Sequence, residues 1–350
     1  MSARLTIALD VMGGDRAPDI VHKGANIARE RFPQTEYLLF GVEPSIKRLL
    51  DRLPRLRKVA TIHHTDEVVS NDAKPSVALR TMRRSSMGLA IGAVAEGRAA
   101  AAVSAGNTGA LMAMAKLALR TLPGIDRPAI ASFFPTEKGE SVMLDLGANV
   151  ECGADNLVQF AIMGDVFART VLGLTAPSIG LLNVGSEELK GDDTLRQAAE
   201  ILRASHIGPQ FRGFVEGHDI AAGTTDVVVT DGFTGNVALK TGEGALKLIR
   251  GLLRQVFQSS FSARIGYLMA RSSLERLREW LDPRRYNGAV MLGLNGMVVK
   301  SHGGTDAEGF AYAVDVAVDM VVHRFNTHIR EGLALIQAAE APPGTGEAVS

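Results

Sequence analysis

Short apolar runs recur along the 350-residue chain and are separated by segments long enough to form helices. Eight of these runs have the length of single strands and are rich in valine, isoleucine, leucine and alanine. They are LTIALD, EYLLFG, KVATIHH, AAAVSAG, AIASFF, SVMLDLG, SIGLLNVG and DVVVTDG. Continuous apolar strands that alternate with helices are typical of a mostly parallel sheet with helices on both faces. The pattern therefore predicts an α/β fold.

The length of the chain favours two lobes, because a single core stops growing at about 250–300 residues. No linker rich in serine or proline divides the chain, so crossing connections must weave a second lobe into the first. We therefore expect one unit over residues 1–337 with two interwoven lobes. The last segment, 338–350, combines two prolines with small and acidic residues and is predicted to be a disordered tail.

Charge and cysteine content exclude several classes of protein. Lysine plus arginine equals aspartate plus glutamate at 38 each, so the chain has no overall basic field for nucleic acid. The single cysteine, Cys152, excludes an intrachain disulfide and a multi-cysteine zinc site. The first residues lack the apolar core of a signal peptide, and the longest apolar stretches are about half of the roughly 20 residues that span a bilayer. We expect a cytoplasmic protein without a membrane-spanning helix.

Five turns that follow predicted strands combine glycine with small polar residues. They are DVMGGD (10–15), SAGNTGA (104–110), LDLGAN (144–149), NVGSEELKGD (183–192) and DGFTGN (231–236). Carboxyl ends of parallel strands lie at one edge of a sheet, where doubly wound folds bind ligands, so we expect all five turns to surround one cleft. Glycine alone would only permit tight turns, but four turns also carry an asparagine. These are Asn107, Asn149, Asn183 and Asn236.

The groups in these turns suit an anion. Backbone N–H groups, amides, hydroxyls and Lys190 can donate hydrogen bonds to it, and the turn 231–236 opens a helix whose N-terminus carries partial positive charge. No G-x-G-x-x-G follows the first strand and no G-x-x-x-x-G-K-[ST] occurs, so the dinucleotide fingerprint and the P-loop are both absent. The eight histidines lack the spacing of metal ligands, and we expect neither a metal nor another cofactor.

Two further groups have both a catalytic and a structural interpretation. Cys152 precedes a predicted helix, where a thiolate is favoured, but a lone cysteine is also common as a small buried apolar residue. Ser301 and His302 lie on the glycine-rich turn KSHGGTD before the last long helix. They are either proton donors to a bound ligand or residues that form the turn. The polar residues of the five turns can likewise cap helices.

Seven motifs in fixed order resemble the acyl-acyl carrier protein:phosphate acyltransferase family of bacterial phospholipid synthesis, the PlsX family. They are ALDVMGGD, SAGNTGA, LDLGANVEC, NVGSEELKG, VEGHDI, DGFTGNVALK and YNGAVMLGLNGMVVKSHG, within about residues 5–330. The resemblance implies a fold similar to the phosphotransacetylases and to the isocitrate and isopropylmalate dehydrogenases. It also implies that inorganic phosphate attacks the thioester of a fatty acyl chain on acyl carrier protein, without a cofactor. The acyl phosphate would then pass to a membrane glycerol-3-phosphate acyltransferase.

Residue roles follow from this resemblance. Lys190 would be the cation for phosphate or oxyanion, and Asn236 would donate its amide to the reacting carbonyl. Further substrate-binding candidates, of which the first three would line the phosphate site, are Ser104, Asn107, Thr108, Asn149, Asn183, Ser301 and His302. Asp10 and Asp15 would orient donors or pair with Lys190. One departure is His218, which stands where the family has the asparagine of EGND.

Two alternatives to this function remain open. A decarboxylating dehydrogenase of the same fold would need an aspartate cluster for a divalent metal and arginines for a carboxylate substrate, and neither arrangement is found in the sequence. A non-catalytic scaffold for acyl carrier protein and membrane acyltransferases would leave the turn amides without a function. The scaffold does agree with a basic segment in the C-terminal third of the chain.

That segment, 250–285, contains eight arginines and three acidic residues, so it carries a charge of +5 in a chain whose total is zero. Its apolar residues recur every three or four positions, which predicts a projecting hairpin of two amphipathic helices joined near 259–262 or 272–273. We expect Arg264, Arg271 and Arg278 to contact acidic acyl carrier protein, an anionic membrane surface or both. A hairpin that buries its apolar side in a dimer is the structural alternative, and the resemblance also implies a homodimer.

Overall fold

Among residues 5–340, eleven strands form one mixed sheet. The structure, a computed structural model, describes these residues apart from the side chains of 279, 333 and 335–340. The strands are β1 (Thr6–Asp10), β2 (Glu36–Gly41), β3 (Ala60–His64), β4 (Ala101–Ser104), β5 (Ala129–Thr136), β6 (Gly139–Leu144), β7 (Ile179–Leu182), β8 (Phe211–Val215), β9 (Val227–Val229), β10 (Ala289–Leu292) and β11 (Met297–Lys300). The eight predicted strands are β1 to β7 and β9, and all are confirmed. The sequence analysis misses β8, β10 and β11.

Helices pack on both faces of this sheet, as the α/β prediction requires. They are α1 (Asp19–Arg31), α2 (Glu43–Leu50), α3 (Pro54–Arg57), α4 (Pro75–Thr81), α5 (Ser86–Ala95), α6 (Thr108–Leu119), α7 (Ala154–Leu172), α8 (Asp193–Ala204), α9 (Gly217–Ala222), α10 (Gly232–Gln258), α11 (Phe261–Trp280), α12 (Ala307–Val322) and α13 (Phe325–Glu340). Successive residues of a strand point to opposite faces. Ile7 and Leu9 of β1 therefore belong to the core that contains α1 and α12, whereas Ala8 packs in a separate cluster with Ala90 and Ala93 of α5.

The sheet reverses direction at its centre. Its strand order is β3-β2-β1-β4-β11-β10-β5-β6-β9-β7-β8, and seven of the ten neighbouring pairs are parallel. The three antiparallel pairs are consecutive: β11 with β10, β10 with β5, and β5 with β6. Three successive reversals leave β6, β9, β7 and β8 running opposite to β1–β4 and β11.

This reversal corrects one expectation. The turns after β1 and β4 lie at one edge of the sheet, and those after β6, β7 and β9 lie at the opposite edge. The prediction that five turns share a single edge is therefore wrong. Only two residues separate β5 from β6 and four separate β10 from β11, and connections this short join antiparallel strands.

The predicted helical hairpin is present and consists of α10 and α11. The two helices meet at Ser259 and Ser260, the first of the two predicted junctions, and α10 begins well before the predicted segment. The rings of Phe257 and Tyr267 contact each other edge to face across the hairpin, with 5.4 Å between centroids. Many large apolar side chains of the hairpin are nevertheless exposed. They are Leu248, Ile249, Leu252, Leu253, Val256, Phe261, Ile265, Tyr267, Leu268, Met269, Leu277 and Trp280.

The C-terminal end of the chain is described only in part. Helix α13 extends to Glu340, three residues into the segment predicted as a tail, and 341–350 lies outside the described residues. None of the helices described here combines the length and the apolar character needed to cross a bilayer.

Candidate active site

A cavity of about 900 Å³ lies over the central strands, where the two halves of the sheet meet. Ile130 and Phe134 of β5 and Lys300 of β11 line it from the sheet, and Thr108 at the start of α6 lines it from the first half. One face of α10, including Asn236, lines it from the other half. Turns from opposite edges of the sheet therefore reach the same cavity.

A buried carboxylate, that of Asp10, holds the first turns in place. It accepts hydrogen bonds from Ser104 Oγ at 2.7 Å and from Met12 N at 3.3 Å. Burial raises the pKa of Asp10, and the hydrogen bond from Ser104 lowers it. Ser104 Oγ also accepts a hydrogen bond from Gly106 N at 3.0 Å. Asp10 and Ser104 thus position the turns after β1 and β4, and they are not among the described residues that line the cavity.

Lys300, at the end of β11, is a buried lysine that lines the cavity. Its Nζ donates to two backbone carbonyls, one of them that of Ala105 at 3.4 Å. Burial lowers the pKa of Lys300 to about 8, while the carboxylates of Asp10 and Asp15 act in the opposite direction. Lys300 therefore lies near enough to these two carboxylates for their charges to act on its pKa. In the described part of the chain, neither aspartate forms an ion pair with Lys190.

The turn after β11 is held by Asn287. Its Nδ2 donates to Ser301 Oγ at 2.9 Å, and its Oδ1 accepts from His302 N at 2.7 Å. Asp15 N joins this turn to the first turn by donating to the carbonyl of Gly303 at 3.0 Å. His302 lines the cavity, whereas Ser301 is completely buried beneath the turn. The structure therefore places only His302 of this pair where a ligand can reach it.

Helix α6 begins at the cavity with a neutral cap. Asn107 Oδ1 accepts from the N–H of the third helical residue at 2.8 Å, and its amide donates to two backbone carbonyls. Thr108 and the residue after it line the cavity, and N–H groups in the first turn of a helix have no intrahelical partner. The partial positive charge of this N-terminus adds to the charges of Arg16 and Lys300. We refer to Arg16, Thr108, Gly109 and Lys300 as the cationic corner.

A second buried carboxylate, that of Asp145, holds the turn after β6. It accepts five hydrogen bonds of 2.7–3.2 Å. The donors are the N–H groups of Ile130, Gly147, Ala148 and Asn149 and the side-chain amide of Asn149. Burial raises the pKa of Asp145 and these donors lower it. All five of these hydrogen bonds are donated to the carboxylate, and Asn149, which supplies two of them, serves to build the turn.

Helix α10 packs directly against this turn. Gly232 N donates to the carbonyl of Asn149 at 2.7 Å. A Cβ added at Gly235 would lie 1.9 Å from the carbonyl oxygen of Asp145, so only glycine permits this approach. The contact directs one face of α10, with Asn236, towards the cavity.

The N-terminus of α10 is capped by an acidic side chain. The Asp231 carboxylate accepts from the N–H and the hydroxyl of Thr234, at 2.9 and 2.7 Å. A carboxylate therefore already occupies the position where a helix N-terminus binds anions. The sequence-based expectation that this turn binds phosphate through its backbone does not agree with the cap. The turn contributes the side chain of Asn236 to the lining of the cavity.

Lys190 lies on a loop beyond β7. Asn183 Oδ1 accepts from Val184 N at 2.8 Å, and Asn183 Nδ2 donates to the Lys190 carbonyl at 3.1 Å, so Asn183 braces this loop. The side chain of Lys190 is exposed, and Lys190 is not among the described residues that line the cavity. The structure thus brings Asn236, Thr108 and His302 together and leaves Lys190 outside their cavity.

Comparison with known proteins decides the family. A family model described as "Fatty acid synthesis protein" matches residues 5–328. A phosphate acyltransferase of Rhodospirillum centenum is 66% identical, with 97% of this chain and 96% of that protein covered. A phosphate acyltransferase of Granulibacter bethesdensis is 64% identical, with 94% and 89% covered. The chain belongs to this acyltransferase family. The resemblance identified from seven motifs is confirmed.

A solved structure supports the fold of this family member independently. A phosphotransacetylase from Streptococcus pyogenes superposes with a TM-score of 0.62 over 92% of this chain and 95% of that chain, at 18% sequence identity. At this identity the likeness concerns the fold alone, and it confirms the predicted similarity to phosphotransacetylases. The curated relatives are acyltransferases, so the dehydrogenase alternative receives no support.

Two residues singled out in the sequence, Cys152 and His218, are not among the described residues that line the cavity. Cys152 is half-buried, and burial together with the charges of Asp145 and Asp231 raises the pKa of its thiol to about 11. A thiol with this pKa is protonated at neutral pH and is a poor nucleophile. His218 lies on α9, is 76% exposed, and is not among the cavity's described lining residues.

Sequence reasoning misses Lys300 and Asp145, although both lie inside motifs that it quotes. Asp145 stands in LDLGAN four residues before Asn149, and Lys300 directly precedes Ser301. The signal for Lys300 was its position at the end of an apolar run. Burying a charged lysine there costs free energy, which indicates a functional role for the residue. Arg16, which follows DVMGGD, is missed for lack of any such signal.

We predict that Gly235→Ala destabilises the protein by about 2 kcal/mol or more, because the methyl group cannot fit against the Asp145 carbonyl. Gly244→Ala on the same helix is the control, since an added Cβ there meets no atom within 4 Å and alanine favours the helix. Thermal unfolding of both variants measures the difference. An unchanged melting temperature for Gly235→Ala would contradict the packing described for α10.

Proposed function

We propose that the protein transfers a fatty acyl chain from acyl carrier protein to inorganic phosphate. A phosphate oxygen attacks the thioester carbonyl carbon, the C–O bond forms, the C–S bond breaks, and the carrier leaves as a thiolate that takes up a proton. The products are acyl phosphate and free carrier. The observation that supports this function is one cavity that combines a cationic corner, the amide of Asn236 and apolar side chains.

The helix caps support placing phosphate in the cationic corner. Two helices begin at the cavity, and α6 has the neutral cap Asn107 whereas α10 has the carboxylate of Asp231. A phosphate dianion is attracted to the first N-terminus and repelled by the second cap. Lys300 Nζ donates to the carbonyl of Ala105, shortly before α6, and both Lys300 and the cationic Arg16 line the cavity. Phosphate therefore binds at α6, and the acyl group extends towards α10.

Asn236 is the donor proposed for the thioester. Negative charge develops on the carbonyl oxygen as phosphate attacks, and a fixed amide donor stabilises that charge. Lys190 is retained as a second cation, and its assignment rests on the motif resemblance alone. No covalent enzyme intermediate is required, because a thiolate is a good leaving group and Cys152 is protonated at neutral pH.

The hairpin of α10 and α11 is proposed to recruit the macromolecular partners. Exposed apolar side chains and the cations Arg264, Arg271 and Arg278 lie on the same segment, and Arg271 pairs with Glu275 at 2.8 Å. Acidic acyl carrier protein and an anionic membrane surface both complement such a segment. The protein then works in the cytoplasm at the membrane surface, where acyl phosphate passes to a membrane glycerol-3-phosphate acyltransferase.

A homodimer is proposed as the assembled form. Exposed large apolar side chains recur along the hairpin, and exposed apolar patches mark surfaces through which proteins associate. A non-catalytic scaffold would use the same surface, but it would give the buried Lys300 and the cationic corner no function.

The proposed reaction predicts strictly phosphate-dependent release of carrier thiol from acyl carrier protein with a C14–C18 chain. Release should persist in a chelator, because the proposed mechanism requires no metal. Cys152→Ser should retain most of the activity. Three results would contradict the mechanism. They are thiol release without phosphate, loss of thiol release in chelator, and an acyl adduct on Cys152 detected by mass spectrometry.

Replacement of Lys300 tests the cationic corner. Lys300→Met should lower kcat/KM for phosphate by about a hundredfold, the usual effect of losing one electrostatic donor. Because the pKa of Lys300 is lowered to about 8, its charge is present below that pH and is lost as pH rises through it. The KM for phosphate should therefore rise above pH 8 in the wild type.

Two companion variants make this test specific. Lys300→Arg keeps its charge at all of these pH values, so the rise in KM above pH 8 should disappear. Lys190→Ala should lower kcat by about a hundredfold, with no change in the pH profile. A wild-type pH profile in Lys300→Met would show that Lys300 does not bind phosphate.

Charge reversal tests the hairpin. A triple variant with Arg264, Arg271 and Arg278 replaced by glutamate should raise the KM for acyl carrier protein and weaken binding to anionic vesicles, with kcat largely unchanged. Sedimentation of the same variant reports the oligomeric state. If KM and vesicle binding are both unchanged in a folded triple variant, the hairpin has only a structural role.

A further inference from the structure

We propose that the fatty acyl chain lies along one face of α10, in a groove that runs from Asn236 towards Arg250 and sets the chain-length preference. This inference rests on the proposed function, since it takes the reacting carbonyl to lie beside Asn236. We call this channel the acyl groove and define it by Phe134, Leu239, Gly242, Leu246 and Leu281, all of which line the cavity.

The groove follows from the spacing of the residues on α10. From Asn236 onwards, the α10 residues that line the cavity are Asn236, Leu239, Lys240, Gly242, Glu243, Leu246, Lys247 and Arg250. Intervals of three and four residues place them on one face of the helix. Leu239, Gly242 and Leu246 are the uncharged members of that face beyond Asn236, and the ring of Phe134 lies against Gly242.

The far end of the groove lies at the base of the hairpin. Leu281 and Pro283 line the cavity there. Arg250 Nη2 donates to the carbonyl of Leu281 at 3.2 Å, which joins the end of the lining face of α10 to the segment after α11. The methyl end of a bound chain would therefore meet apolar side chains close to this junction.

The length of the groove matches a long fatty acyl chain. Fourteen residues separate Asn236 from Arg250, and at about 1.5 Å per residue they span about 21 Å. An extended hydrocarbon chain advances about 1.25 Å per C–C bond, so sixteen carbons reach about 19 Å. A cavity of about 900 Å³ is also in the range of sites that enclose most of a ligand of this size.

Gly242 lies against the ring of Phe134, and together they form part of the floor of the groove. A Cβ added at Gly242 would lie 3.0 Å from two ring atoms of Phe134, so a larger residue must push the ring into the groove. Gly242 is six residues beyond Asn236, or about 9 Å, which corresponds to about seven carbons. Leu246 is ten residues beyond, or about 15 Å, which corresponds to about twelve carbons.

The other long, narrow group in the substrate is the carrier's phosphopantetheine arm, and the groove fits it less well. The arm contains amides and hydroxyls, which lose hydrogen bonds to water unless the protein replaces them. Leu239, Leu246 and Phe134 have no side-chain polar groups to replace them. An acyl chain, in contrast, gains free energy from each CH₂ group that it buries there.

The test compares chain-length profiles. Wild type, Gly242→Leu, Leu246→Trp and the control Gly244→Leu are assayed with acyl carrier protein bearing C6, C8, C12 and C16 chains. Gly242→Leu should lower kcat/KM for C16 relative to C6 by at least tenfold. Leu246→Trp should spare C6 and C8 and lower only C16. Gly244→Leu should keep the wild-type profile, because a Cβ there meets no atom within 4 Å.

A binding assay repeats the comparison without turnover, by measuring how hexanoic and hexadecanoic acid displace a fluorescent fatty acid. If the proposed reaction is wrong but the groove binds acyl chains, this assay still shows the chain-length effect. If Gly242→Leu does not fold, Gly242→Ala narrows the groove by one methyl group and should shift the profile in the same direction. An equal loss at every chain length would assign the groove to the phosphopantetheine arm. An unchanged profile in folded Gly242→Leu and Leu246→Trp would overturn the proposal.

Discussion

The packing of α10 against the turn after β6 is the constraint on which the site depends. Asp145 collects five N–H donors and so fixes the course of residues 145–149. Two glycines of α10, Gly232 and Gly235, allow the helix to approach that turn more closely than any side chain would permit. Because the helix is anchored at its first turn, its direction determines where Asn236 lies, which face lines the cavity, and where the hairpin leaves the body.

The reversal of the sheet gives the cavity its electrical asymmetry. Antiparallel pairing of the central strands sends the turns of the two halves to opposite edges, and α6 and α10 then begin on different sides of one cavity. Asn107 leaves the first helix N-terminus with its positive partial charge, and Asp231 offsets that of the second. An attacking anion and a neutral thioester thus have different preferred sides. The two reactants can therefore bind side by side in one cavity.

Much of this arrangement can be predicted from the sequence, because apolar runs and turn residues are local signals. Eight strands, the hairpin and the family follow from them. The direction of the central strands does not, since it depends on pairing between distant segments, although the two-residue connection after β5 was a usable sign of an antiparallel hairpin. The roles of individual residues within the turns could not be predicted from the sequence either. Asn107 and Lys300 each belong to a quoted motif, and only the three-dimensional contacts show that the amide caps a helix while the lysine faces the cavity.

Phosphate and the acyl chain are proposed to occupy one cavity, at α6 and along α10 respectively. A crystal structure with hexadecylphosphonate, a stable mimic of the acyl phosphate product, tests this arrangement. We predict phosphonate oxygens within hydrogen-bond distance of Lys300 Nζ and the first turn of α6, with the alkyl chain along Leu239, Leu246 and Phe134. A phosphonate bound beside Lys190, outside the cavity, would contradict it.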